Sequence, residues 1–182
     1  MKQGRIVVIT GAPGTGKSTT SAIVAQESDM EKSVHMYTDD FYHYLSKGAI
    51  PPYLPESNEQ NLIVIEAFLE AAKRYARGGY DVIVDGIIGP WFLEPWLNMV
   101  QEGYEVHYII LRANKEETMK RAIHRSKLDR ETNIALVETM WQQFRDLGTY
   151  ETNMIDTTNF SIQDTVSAIK EKIASKTALI RG

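Results

Sequence analysis

The sequence has no cysteine among its 182 residues and no apolar run long enough to cross a bilayer. The first absence excludes disulfides, thiolate metal sites and a cysteine nucleophile, and it is typical of proteins in the reducing cytoplasm. The second excludes a spanning helix, which needs about 20 apolar residues. Residues 1–4 lead straight into a strand-like segment and lack the character of a signal peptide. We therefore expect a cytoplasmic protein that does not act at a membrane.

The sequence also has no excess of basic residues, since 20 lysines and arginines face 24 aspartates and glutamates. A net charge of -4 provides no broad positive field, so nonspecific binding to nucleic acid is not expected. The length predicts one domain that covers residues 1–182. The four histidines show no metal-ligand spacing and receive no predicted role; they are His35, His43, His107 and His124.

Five short runs rich in β-branched or aromatic residues alternate with longer amphipathic segments. This alternation predicts an α/β domain with a mostly parallel sheet. The predicted strands are Arg5 to Thr10, Ser33 to Thr38, Asp81 to Asp85, Glu105 to Leu111 and Met154 to Asp156. The predicted helices are Lys17 to Glu27, Asn58 to Arg77, Trp91 to Gln101, Lys115 to Arg125, Thr132 to Asp146 and Ile162 to Ser175.

One irregular stretch, Lys47 to Ser57, contains three prolines. Two interpretations remain open for it, a loop on the substrate side and a rigid surface connection.

The clearest motif is Gly11-Ala12-Pro13-Gly14-Thr15-Gly16-Lys17-Ser18, which satisfies G-x-x-x-x-G-K-[ST]. A strand pattern precedes it and a helical pattern follows it, as a phosphate-binding loop requires. Glycines let successive N–H groups and the helix N-terminus point at one anionic centre. Lys17 is predicted to lie between the β- and γ-phosphates of ATP, and the Ser18 hydroxyl to bind Mg²⁺. A ligand-free glycine turn has no need of Lys followed by Ser.

Two other classes of P-loop protein fit the sequence less well. Asn114-Lys115-Glu116-Glu117 is close to the guanine-reading Asn-Lys-x-Asp of GTPases, but its last residue differs and no Asp-x-x-Gly accompanies it, since Ile88 stands where that glycine would be. The third strand ends Asp85-Gly86, without the water-activating glutamate that follows the aspartate in motor-type ATPases. A kinase is the class that remains.

Two aspartates, Asp39 and Asp40, follow the second predicted strand. The carboxyl ends of parallel strands meet at one edge of the sheet, so these side chains are expected beside the phosphate loop. A hydroxyl that attacks a γ-phosphate needs a carboxylate to orient it and to accept its proton. We assign this role to Asp39 and predict that both aspartates lie against the substrate. The alternative interpretation is a helix cap, a position where aspartate is favoured.

The third strand and the segment after it supply two further candidates. Asp85 is predicted to bind Mg²⁺ or substrate, and the alternative is a turn residue that ends the strand. Gly89 to Trp96 holds two tryptophans and a phenylalanine, and Trp91 is the candidate wall of an acceptor pocket. Packing on the core is the expected role of at least one of these tryptophans.

A basic segment is predicted to form a lid. Arg121 and Arg125 are four residues apart and share a helix face, and Lys127 and Arg130 follow them. Guanidinium groups suit the charge that spreads over a transferring phosphoryl group, so Arg121 and Arg125 are the catalytic candidates. A solvated basic face is the alternative for each. Asp156-Thr157-Thr158-Asn159 follows the last predicted strand, at the place where kinases of this type close over the adenine ring, and this similarity implies a position near that ring.

Taken together, these residues resemble the small P-loop kinases, such as shikimate kinase, gluconate kinase, chloramphenicol phosphotransferase and the zeta-toxin kinases. The resemblance is carried by residues 11–19, 38–42, 82–86, 121–130 and 155–157, and only the first segment is highly specific. It implies a P-loop NTPase fold in which a five-stranded parallel sheet of order 2-3-1-4-5 has helices on both faces and a short lid at about residues 121–131. It also implies ATP with Mg²⁺, nucleotide contacts from Gly11 through Thr19, and an aspartate like Asp39 at the acceptor hydroxyl.

The resemblance does not name the acceptor. Shikimate kinases carry a run of glycines where this chain has Asp85-Gly86-Ile87-Ile88, and Gly89 to Trp96 departs from the gluconate kinase pattern. The expected activity is phosphoryl transfer from ATP to a hydroxyl of a small molecule such as a sugar acid, a nucleoside-like metabolite or an antibiotic. The alternative is a nucleotide-binding regulator or switch without acceptor chemistry. The sequence gives no oligomeric state.

Overall fold

The computed structural model describes residues 3–123 and 130–181. Its strands form one sheet in the order β2-β3-β1-β4-β5, and every pairing between them is parallel. This confirms the predicted α/β class, the five strands and their order. The strands are β1 (Arg5–Thr10), β2 (Ser33–Tyr37), β3 (Asp81–Asp85), β4 (Glu105–Arg112) and β5 (Met154–Asp156).

Helices flank the sheet on both faces. They are α1 (Lys17–Gln26), α2 (Thr38–His43), α3 (Asn58–Arg77), α4 (Glu94–Gln101), α5 (Lys115–Ile123), α6 (Arg130–Gln143) and α7 (Ile162–Ala174). The sequence pattern does not predict α2, because six residues are too few to show a helical period. The helix predicted from Trp91 begins later, since a 3-10 turn at Pro90–Phe92 precedes α4.

Two hydrophobic cores lie on opposite faces of the sheet. Side chains alternate along a strand, so Ile6 and Val8 of β1 pack on the α3 and α4 side, whereas Val7 and Ile9 pack on the α1 and α7 side. All four side chains are fully buried. Because the sheet is covered on both faces, successive side chains of a strand are all buried, and the sequence of the strand is a continuous apolar run.

The arrangement brings the carboxyl ends of β1, β2 and β3 to one edge of the sheet, where the phosphate loop, α2 and the segment after Asp85 begin. Among residues 3–123 and 130–181, no helix is long and apolar enough to cross a membrane.

A buried histidine makes the stability of this fold depend on pH. His107 on β4 has no exposed surface, its Nε2 lies 3.0 Å from Glu105 Oε1, and its Nδ1 has no hydrogen-bond partner among the described residues. Burial lowers the pKa of His107, an effect that Glu105 partly opposes. As pH falls, the histidine therefore becomes protonated in the unfolded chain before it does so in the folded chain. The free energy of unfolding consequently decreases as pH falls below about 6.5, the ordinary pKa of histidine.

We predict that the unfolding free energy of the wild type falls more steeply than that of His107→Gln between about pH 7.5 and 5, a window set by the unfolded histidine. Urea denaturation of both proteins at several pH values measures the difference. Parallel curves for the two proteins would contradict the prediction.

Candidate active site

The phosphate loop connects β1 to α1, and its tip packs against α5. Gly14 has φ = 82°, and a Cβ atom there would lie 2.8 Å from the Thr118 carbonyl oxygen. Both the left-handed backbone and the lack of space require glycine. Within the loop, the Ala12 carbonyl oxygen accepts hydrogen bonds from Thr15 Oγ1 at 2.9 Å and from Lys17 Nζ at 3.1 Å. The loop is thus held in shape by its own side chains.

Three of the predicted nucleotide ligands, Lys17, Ser18 and Thr19, form the first turn of α1. Ser18 and Thr19 are exposed in the first turn of α1, where backbone N–H groups and the helix dipole favour an anion. Lys17 is half-buried. Burial lowers the pKa of Lys17 to about 8, although the charges of Asp85 and Asp39 act to raise it. Its ammonium group is therefore poorly hydrated, and the negative charge of a bound phosphate would offset this loss of hydration.

A close contact between β3 and α2 brings the two acidic segments together. A Cβ atom on Gly86 would lie only 2.2 Å from Thr38 Oγ1, so only glycine allows this approach. Thr38 is buried and begins α2 directly after β2. Asp39, the next residue, consequently lies close enough to Lys17 and Asp85 for each to affect its pKa.

Asp39 and Asp40 differ in their electrostatic surroundings. Desolvation raises the pKa of Asp39, Lys17 lowers it, and Asp85 raises it further. Asp39 also acts on the pKa of Lys17, as Asp85 does, whereas Asp40 does not. Neither aspartate caps α2: the N-cap residue is Tyr37, and it has no side-chain cap. Of the two aspartates, Asp39 is therefore the one that interacts electrostatically with Lys17 of the phosphate loop.

Asp85 closes the floor of this site. It is only 4% exposed, and its Oδ2 atom has no hydrogen-bond partner among the described residues. A buried carboxylate oxygen without a partner is costly unless a cation or donor joins it. Asp85 also lies close enough to Lys17 to affect its pKa. Its carboxylate and the exposed Ser18 hydroxyl are oxygen donors beside the phosphate loop, and they fit Mg²⁺. Because the described residues hold no group of three histidine, cysteine or acidic side chains suited to a metal, phosphate and water oxygens would complete its shell.

The segment after β3 is fixed from two sides. The Ile88 N–H donates to Thr10 Oγ1 at 2.8 Å, and the Tyr108 hydroxyl donates to the Ile88 carbonyl oxygen at 2.7 Å. These bonds, made by side chains of β1 and β4, hold the backbone that leads to Trp91. No local sequence signal identifies Thr10 or Tyr108 as supports.

The two tryptophans of this segment have different surroundings. Trp96 is fully buried in the core, as expected of one of them, but Trp91 is 53% exposed. Its ring packs on Gly89 and meets Phe144 edge to face with centroids 5.2 Å apart. Trp91 also lines a groove of about 570 Å³ between α3 and α4. It is a fixed and partly open aromatic surface.

Arg121 is held at the side where the adenine ring is predicted. Its Nε donates to Glu117 Oε1 at 2.7 Å, and its Nη2 lies 3.5 Å from the carbonyl oxygens of Thr157 and Thr158. Arg125, Lys127 and most of the predicted lid lie outside the described residues. The structure thus ties the beginning of the lid segment to the loop after β5.

The connection between α2 and α3 is ordered by a side chain in the first turn of α3, Gln60, and by Ser57, the N-cap residue of that helix. The Gln60 amide accepts from the Ile50 N–H at 2.8 Å and donates to the Ile50 carbonyl at 2.7 Å. Ser57 Oγ lies within hydrogen-bond distance of the Leu54 carbonyl, at 2.7 Å, and of the Pro52 carbonyl, at 3.0 Å. The connection leaves Tyr44 and Tyr53 largely exposed. This order agrees with a rigid surface connection at Lys47 to Ser57, and the role of a loop on the substrate side stays a prediction.

The lowered pKa of Lys17 leads to a prediction about nucleotide binding. As pH rises through about 8, the free protein loses the charge of Lys17. A triphosphate favours the charged form, so binding above this pH should take up a proton and weaken as pH rises. Calorimetric titration of ATP from about pH 7.5 to 9.5, in buffers of different ionisation enthalpy, measures both effects.

The matched control is Lys17→Arg, which keeps its charge throughout this range. Its ATP affinity should be nearly independent of pH. The prediction is wrong if the two proteins show the same pH dependence.

Comparison with known proteins agrees with this geometry. The model of a family described as AAA domain matches residues 7–142. Curated protein sequences give no match. The structure of the tunicamycin resistance protein of Deinococcus radiodurans is similar, with 19% sequence identity, coverage of 99% of this chain and 100% of that chain, and a TM-score of 0.65. The APS kinase of Mycobacterium tuberculosis in complex with AMPPNP and APS is similar with 15% identity, coverage of 96% of this chain and 99% of that chain, and a TM-score of 0.71. A gluconokinase of Sinorhizobium meliloti is similar with 17% identity, coverage of 97% of this chain and 94% of that chain, and a TM-score of 0.64. The chain therefore belongs to the AAA domain family, and its fold is that of the small P-loop kinases.

Proposed function

We propose that this protein is an ATP-dependent phosphotransferase that moves the γ-phosphate of ATP to a hydroxyl group of a small molecule. The observation that carries the proposal is the position of Asp39, which shares the electrostatic surroundings of Lys17 and Asp85 and has no hydrogen-bond partner among the described residues. A carboxylate left free beside a phosphate-binding lysine is suited to an acceptor hydroxyl.

The proposed reaction assigns a separate task to each residue. The acceptor oxygen attacks the γ-phosphorus in line, the bond to the β–γ bridging oxygen breaks, and ADP leaves. Asp39 orients the hydroxyl and takes its proton, and desolvation supports this role because it raises the pKa of the carboxyl. Lys17 and the loop N–H groups balance the phosphate charge.

Asp85 and Ser18 are the residues that would hold Mg²⁺. When bound, this ion neutralises charge on the β- and γ-phosphates and orients them. The protein's part is to supply one buried carboxylate and one hydroxyl at the edge of the sheet.

A nucleotide-binding switch is the competing function. A switch needs the phosphate loop and a metal ligand, but it has no use for a second, unpartnered carboxylate next to the lysine. β3 ends in Asp85-Gly86, without the glutamate by which motor-type ATPases activate water. These two features favour acceptor chemistry over hydrolysis-driven switching.

The acceptor surface is proposed to include Trp91 and the exposed tyrosines of the α2–α3 connection. Aromatic faces stack on sugar rings and on other planar or apolar groups. A panel of sugars, sugar acids, nucleosides, aminocyclitols and phenicols, tested for acceleration of ADP release, would identify the class of acceptor. If no member raises ADP release above basal hydrolysis while ATP binds normally, the switch is favoured.

We predict that Asp39→Asn lowers acceptor phosphorylation by about 10²- to 10⁴-fold, because it keeps the shape of the side chain but removes its basicity. ATP affinity should be unchanged or slightly higher, since a negative charge near the triphosphate is lost. Calorimetry measures binding, and a coupled ADP assay with the acceptor measures transfer.

Asp40→Asn is the matched control and should have a smaller effect, because Asp40 does not act on Lys17. A reversed order of effects would assign the base to Asp40. A loss of Mg²⁺-dependent ATP binding in Asp39→Asn would show that this carboxylate binds the metal.

The lid arginines should differ in which kinetic constant they affect. Arg121 contacts the loop after β5, so Arg121→Ala is expected to raise the KM for ATP more than it lowers kcat. At least one of Arg125→Ala and Arg130→Ala should lower kcat severely, because only donors that reach the transferring phosphoryl group alter the chemical step. Steady-state kinetics of the three variants decides between a lid and a solvated basic surface, for which all three would be near normal.

A further inference from the structure

Asp85 faces a second buried polar group that the proposed reaction does not use. Its Oδ2 lies 3.8 Å from His35 Nε2, and neither atom has a hydrogen-bond partner among the described residues. The Asp85 side chain is 4% exposed and that of His35 is 13% exposed. Two unpartnered polar atoms that face each other in a buried place indicate an interaction that these residues form with each other.

The two oxygens of Asp85 have different environments. Oδ2 is fully buried on the side of His35. Oδ1 is not among the fully buried unpartnered atoms of the described residues, so the small exposed area of Asp85 includes this oxygen. The carboxylate therefore has one enclosed oxygen, which faces the histidine, and one oxygen that is left for a ligand.

His35 is well placed to hold that second oxygen. It lies on β2, beside β3, where its Cα pairs with that of Ile83 and Tyr37 pairs with Asp85. Its ring contacts the Tyr37 ring with centroids 4.2 Å apart, and this contact limits its orientation. Closing the gap by less than about 1 Å brings the two atoms within hydrogen-bond distance. Hydrogen bonds of this kind often tighten when a ligand binds.

We propose that His35 is a positioning residue: its Nε2–H group holds Oδ2 of Asp85 and so directs Oδ1 at Mg²⁺ bound with the nucleotide. The inference rests on the proposed metal role of Asp85. A hydrogen bond to the second oxygen of a ligating carboxylate fixes its orientation, and loss of such a partner typically costs 10- to 100-fold in metal affinity. His35 itself touches neither metal nor phosphate.

The test is the gain in affinity for a nonhydrolysable ATP analogue when Mg²⁺ replaces EDTA, measured by calorimetry. In His35→Leu this gain should fall about 10- to 100-fold, whereas affinity in EDTA stays at the wild-type value. His35→Gln retains an N–H donor and should keep most of the gain. His107→Gln, which changes a buried histidine of β4, is the matched control and should keep all of it.

Asp85→Asn separates this inference from the proposal it rests on. If Asp85→Asn loses the Mg²⁺ gain and folded His35→Leu keeps it, the positioning role is wrong and the metal role of Asp85 stands. If Asp85→Asn keeps the gain, both are wrong. Nitrogen-15 NMR of the wild-type His35 ring offers a measurement that needs no variant: a proton on Nε2 whose signal shifts when Mg²⁺ and nucleotide bind supports the proposal, and an unprotonated Nε2 overturns it.

Discussion

The close contact between Gly86 and Thr38 is the constraint on which the candidate site depends. β3 ends and α2 begins at this point, and a side chain at position 86 would force the two apart. Displacement of α2 from β3 would also displace Asp39, because Asp39 directly follows Thr38 in this short helix. The packing of the Thr38 side chain on Gly86 thus helps to set the position of the proposed base relative to the phosphate loop.

This packing gathers a lysine and two carboxylates at one edge of the sheet, where Asp85 is buried, Lys17 is half-buried and Asp39 is exposed. The two carboxylates repel each other, and each is stabilised by Lys17, whose own charged form is disfavoured by burial. Such an arrangement contributes little to folding stability, since none of the three has its charge fully matched. It is better understood as preparation for a ligand that brings both negative charge, as phosphate, and positive charge, as a divalent cation.

The sequence predicts the fold and the phosphate loop well because their signals are local. Strand runs, glycine positions and the order of Lys17 and Ser18 can be read without knowing what lies opposite in space. Contacts between distant segments give no such signal. The pairing of His35 with Asp85 and the burial of Trp96 but not Trp91 depend on which strands and helices become neighbours.

The side-chain clamp made by Gln60 on the α2–α3 connection has a consequence for how this segment tolerates substitution. The backbone shape of the connection is determined by α3, through bonds to Ile50, and not by the tyrosines that it displays. Its conformational entropy is already lost when the protein folds, so a ligand does not have to order it. Substitutions at Tyr44 or Tyr53 are therefore expected to change the chemistry of the surface that the connection presents and to leave its architecture intact.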